Sequence, residues 1–151
     1  MRRMAFVVCL LYSLSSAAWA DSLWNGTWVL REAHPGGQLT MNVEEVGTGW
    51  KVTYKVVGPG APGASDSFLM TPLDGKDVPV LIDGKPSGQT MAIKKLDSHH
   101  TVNVTKFQGK VIGTAKAELS TNGKVITVET EYPDSNPGAP AGKQTAYWDR
   151  K

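Results

Sequence analysis

Three histidines, His34, His99 and His100, are the side chains best suited to ligate a metal or move a proton near neutral pH. A metal site would join them to cysteine, aspartate or glutamate at productive spacing. His99 and His100 instead stand side by side in "LDSHHTV", where Asp97 and Ser98 have turn chemistry, and neighbouring side chains there do not converge on one ion. Nucleophilic chemistry has as little to work with. The single cysteine, Cys9, lies in an apolar N-terminal run, and neither a Gly-x-Ser-x-Gly elbow nor an HExxH motif occurs. Glu44 and Glu45 are consecutive, so on a strand they point to opposite faces and cannot act as a paired acid and base. Gly-Lys pairs at 75–76, 84–85, 109–110 and 123–124 lack Walker spacing and a following helix, and read as turns, not phosphate cradles. The expectation is a non-enzymatic chain with no catalytic residues, no metal and no cofactor.

What remains is a set of large side chains suited to binding. Trp50, Tyr54, Phe68, Met91 and Tyr132 combine aromatic bulk, polar tips and an adaptable thioether, as an apolar pocket with a few polar anchors does. Opposite them, small residues at Gly113, Ala115 and Ala117, on a face read as shared with Val111 and Leu119, leave room. The same bulky partners could fill that room. Side-chain sizes lean toward a filled or nearly filled interior, since small barrels are often solid inside.

The first twenty residues resemble an export signal: Arg2 and Arg3, the short run "MAFVVCLLYSL", and "AWA" before a cut at Asp21. That run is too short to span a bilayer, and Cys9 is not placed for a lipid anchor. Residues 1–20 are therefore expected to be a cleaved Sec-type signal peptide, which places the protein in the periplasm or the medium. Residues 21–151 form one domain. The cut removes two of 16 basic and none of 14 acidic residues, so the remaining chain is neutral with histidine uncharged. Neutrality without a basic run gives no footprint for nucleic acid or anionic membrane. The signal also takes the only cysteine with it, so packing and strand pairing must supply stability. Asn25-Gly-Thr27 and Asn103-Val-Thr105 match the glycosylation acceptor pattern, but the chain reads as bacterial.

Alternation at period two dominates the rest. In "WKVTYKVV", Trp50, Val52, Tyr54 and Val56 share one face; Ile126, Val128, Thr130 and Tyr132 oppose Val125, Thr127, Glu129 and Glu131. Strands are predicted near 26–32, 39–46, 50–57, 66–71, 77–82, 90–96, 101–107, 110–119, 124–132 and 144–150. Turn signals lie between them: "GTG" at 47–49, "DGK" at 74–76 and 83–85, "QGK" at 108–110 and "NGK" at 122–124. "REAHPGG" holds one turn at most, and the Pro/Gly segments 58–65 and 133–142 read as irregular connectors. Sequential hairpins favour an all-β, antiparallel up-and-down barrel of 8 to 10 strands, which removes its edges by closing. A two-sheet sandwich is the alternative.

On these residues a likeness becomes visible. "GTW" at Gly26 to Trp28 resembles the first-strand signature of calycin barrels, which include lipocalins and fatty-acid-binding proteins. The likeness covers most of the chain, through "DGKDVPV" and a closing pattern around "GKVIGTA" and "NGKVITV", and is nearest to small exported bacterial lipocalin-like proteins of unassigned function. It implies a barrel whose floor is closed by Gly26, Trp28 and a terminal cation, Arg150 or Lys151, over the Trp28 ring. The departures matter too. "REAHPGG" is too short for the two lid helices of fatty-acid-binding proteins, and their carboxylate-binding Arg-x-Tyr falls on Ala146 and Trp148. The resulting expectation is an exported barrel that reversibly binds a small, lipid-like apolar molecule. The alternative is a solid-core barrel acting as an envelope scaffold.

Overall fold

A computed structural model describes residues 22–32, 34–59, 66–136 and 138–151. The signal-like segment 1–20, its cut before Asp21 and most of the 58–65 connector lie outside the described residues. Ten strands follow in chain order: β1 (Gly26–Leu30), β2 (Gln38–Val46), β3 (Gly49–Val57), β4 (Ser67–Thr71), β5 (Asp74–Ile82), β6 (Lys85–Lys95), β7 (His100–Phe107), β8 (Lys110–Leu119), β9 (Val125–Tyr132) and β10 (Gly142–Arg150). Each pairs antiparallel with its sequence neighbour, and β1 also pairs with β10, closing the ring. No helix occurs among the described residues. The fold is a closed ten-strand meander, and the sandwich alternative falls with that closure.

Turn chemistry sets the register. Asp83 and Gly84 both take positive φ, 48° and 75°, as do Gln108 and Gly109, 47° and 80°. Two consecutive left-handed residues make the tight turn whose twist matches that of the flanking strands. The Ile82↔Lys85 and Phe107↔Lys110 pairs beside them follow.

"DGK" at 74–76 is not a turn. The chain reverses just before it, at Leu73 with φ 64°, and Asp74 and Gly75 already belong to β5, where the ladder shifts between Asp74 and Asp77. Its Asp74 carboxylate accepts from the Lys76 amide at 3.0 Å, so the local Asp-Gly chemistry builds a bulge in place of a hairpin.

A second shift has larger consequences. Thr105 pairs with Gly113 but Lys106 with Val111, leaving Ile112 as an extra residue on β8. Val111 is thereby turned outward and is 42% exposed, while Ile112 takes the inward place that alternation assigns to Val111. The Ile112 carbonyl accepts from Asn136 Nδ2 at 2.9 Å, which ties the β9–β10 loop to the bulge.

The core is strongest at one end, which we call the floor. Trp28 has no exposed surface, and Leu69, Leu119 and Ile126 are almost as deeply buried. The Trp28 indole nitrogen donates to the Trp24 carbonyl at 3.0 Å, and the Arg150 guanidinium lies 4.2 Å from the Trp28 ring centre. Arg150 donates to the carbonyls of Gly123, Asn25 and Leu23, so one cation ties the end of β10 to both the β8–β9 turn and the segment before β1. A Cβ on Gly26 would lie 2.8 Å from an Arg150 nitrogen, at φ 129°, so this first-strand position suits glycine on both counts.

Candidate functional site

Inside the ring is a cavity of about 350 Å³. The interior is therefore not filled, contrary to the lean from side-chain sizes. The small residues Gly113, Ala115 and Ala117 of β8 line it, and their volume deficit is not made up by the facing side chains. From β9 come Ile126, Val128, Thr130 and Tyr132, the inward face expected from alternation; Glu129 and Glu131 are exposed on the other.

Four of the five candidate binding residues come together here. Trp50, Tyr54, Met91 and Tyr132 all line the cavity. Phe68 does not. It pairs with Thr53, while inward Leu69 pairs with Val52, so Phe68 stands on the outer face, where Lys51 Nζ lies 5.5 Å from its ring centre. Trp24 and Trp148 take part without having been expected to. Trp24 reaches in from the segment before β1, tilted against Trp50 with ring centres 5.3 Å apart and held by a 2.8 Å hydrogen bond to the Ser98 carbonyl. Trp148 packs 6.2 Å from Tyr54.

The β7 wall differs in kind. Thr101, Asn103 and Thr105 face inward there, whereas Val102 and Val104 alternate outward. Asn103 Oδ1 is buried and has no hydrogen-bond partner. Gln89 and Thr130 add neutral polar groups on β6 and β9, and none of the described lining residues carries a formal charge. In the folded barrel Asn103 is a cavity residue, and Asn25 Oδ1 is buried at the floor, so neither acceptor pattern offers an exposed side chain.

Tyr54 is the titratable group most altered by this setting. Burial pushes its phenol up to about 12, and no hydrogen bond or charge offsets that push. Folded Tyr54 thus stays neutral while an unfolded tyrosine ionises near pH 10. The corresponding stability is fully present below about pH 10 and is lost as pH rises toward about 12, by about 1.4 kcal/mol per unit. Tyr54→Phe is expected to flatten the fall in urea midpoint across that window; an unchanged slope would show that Tyr54 is not the group responsible.

The histidines lie apart. His34 is in the β1–β2 connection, at the opposite end of the barrel from His99 in the β6–β7 turn and His100 at the start of β7. There the Asp97 carboxylate accepts from the His99 amide at 2.7 Å and lies 2.9 Å from His100 Nδ1, and these contacts, the amide first, hold its pKa below the usual range. Among the described residues no three of His, Cys, Asp or Glu are grouped to hold a metal. No helix among the described residues is long and apolar enough to cross a membrane. No protein-family model matches the chain, and no curated protein is significantly similar to it.

Proposed function

We propose that this protein is a non-catalytic carrier or buffer of a small hydrophobic molecule, held reversibly inside a lipocalin-like barrel and working in the periplasm or the surrounding medium. The observation that carries the reading is the uncharged, largely apolar cavity of about 350 Å³ within a closed barrel. Its size falls in the range of small-molecule sites, and its lining matches their chemistry: apolar walls with a few convergent polar groups. Affinity would arise from burying the ligand's apolar surface against Trp50, Met91, Val128 and Trp148, at about 25 cal/mol per Å² before the costs of association. The described wall offers apolar surface with neutral hydroxyl and amide groups, chemistry suited to holding a molecule. The export compartment is supported by the signal-like first twenty residues.

The test is titration with N-phenyl-1-naphthylamine, a neutral apolar dye that brightens when it leaves water. Saturable enhancement with micromolar affinity and one site per chain is expected. A linear, unsaturable response would remove the binding reading and leave a scaffold role for the barrel.

A further inference from the structure

Building on the binding role proposed above, we infer that the cavity selects an uncharged molecule with an apolar body and one hydrogen-bonding head group, a hydroxyl or amide, which docks at mid-height against Asn103.

Position on the ring is the first argument. β7 and β2 stand five places apart around ten strands, so they face each other across the barrel. The β7 wall presents Thr101, Asn103 and Thr105, while β2 presents Met41 and Val43. The cavity is thus two-sided, hydrogen-bonding on one wall and apolar on the other, and a molecule polar at one end and greasy elsewhere matches both.

Unmet hydrogen-bonding capacity is the second. Asn103 stands between Ile93 and Ala115, its cross-strand partners, neither of which has a side-chain donor or acceptor, and its Oδ1 is buried without a partner. A buried polar atom left unpaired is costly, and a ligand group that bonds the amide removes that cost on binding. A half-turn about the last side-chain torsion exchanges the amide's donor and acceptor ends, so a hydroxyl, which can both give and accept, is served in either orientation.

The exclusion of charge is the third. An ionised head group brought into this cavity leaves water and meets no counter-charge. Both arginines among the described residues are engaged elsewhere: Arg31 with Asp149 at 2.6 Å on the outer surface, and Arg150 against the Trp28 ring. None of the described lining residues can play the part of a carboxylate-binding arginine.

Three probes of equal chain length separate the possibilities: 1-decanol, decanoate and 1-chlorodecane, each competed against N-phenyl-1-naphthylamine at about pH 8. With the wild-type protein, decanol is expected to displace the dye at concentrations at least about tenfold below decanoate. In Asn103→Leu, decanol is expected to weaken by about tenfold while chlorodecane holds or improves. Decanoate equal to or better than decanol overturns the proposal, and so does an Asn103→Leu variant that weakens both neutral probes alike or neither. Should that variant fail to fold, Asn103→Ser and the wild-type comparison carry the decision. A dye that binds while the head-group preference is absent sinks only this inference, whereas a dye and three probes that all fail to bind sink the carrier reading with it.

Discussion

Trp28→Ala is expected to cost about 3–5 kcal/mol of folding stability, the range for deleting a fully buried large aromatic. Trp28 has no exposed surface, and its removal does more than open a hole. The Arg150 guanidinium loses the ring that it covers at 4.2 Å, a contact worth about 0.5–2 kcal/mol, and the Trp24 carbonyl loses its indole donor. Domains of this size have about 5–15 kcal/mol in total, so the variant should stand close to its unfolding threshold. Urea denaturation followed by circular dichroism measures the effect. A loss below about 1 kcal/mol would mean that the floor does not depend on this ring. Trp28→Phe, which keeps most of the apolar bulk, should fall between the two.

Ala115→Phe is expected to abolish dye binding, with at least a hundredfold loss in affinity and the fold intact. Ala115 lies on the inner face of β8, level with Asn103 on one side and Thr130 on the other, at the middle of the cavity. A phenyl ring there occupies the space that a ligand would need. Adding bulk to a packed core costs about 1–3 kcal/mol, but here an existing hollow receives it, so the urea midpoint should move little in either direction. Unchanged dye affinity in a folded Ala115→Phe protein would place the binding site outside the barrel.

The contrast between these two substitutions shows which parts of the molecule were legible in its sequence. Strand positions came through well because polar and apolar residues alternate cleanly in segments such as 50–57 and 125–132, and there the inner face was read with the correct sign. Phe68 stands outside the barrel, against expectation: "SFLMT" has three consecutive large apolar residues, Phe68, Leu69 and Met70, and alternation there gives no sign. Only the pairing of Leu69 with Val52 decides which one turns inward.

The β7 wall is a harder case. Valines at 102 and 104 look like the buried face of "TVNVT", yet the threonines and Asn103 point into the barrel. Hydropathy gives the wrong sign where polar groups face a cavity, and in the sequence Asn103 stands out only through the glycosylation acceptor pattern. The bulge at Ile112 left no trace at all. Val111 and Ile112 are both β-branched and apolar, and an extra residue in a strand is visible only once the partner strand is known. Trp24 precedes the first strand, where no periodicity applies, and its closeness to the strand start is the only sequence signal that it reaches the cavity.

The closure at Arg150 also fixes when the molecule can be completed. Its hydrogen bond to the Asn25 carbonyl joins residues 125 positions apart, whereas the other strand pairs are formed between neighbours in the sequence. A chain that emerges N-terminus first can zip its hairpins one after another, each closing a short loop at little entropic cost. It cannot seat Trp28 until the last strand arrives. Until the last strand is in place, therefore, the meander is an open sheet with two unpaired edges, and the step that closes the ring comes last.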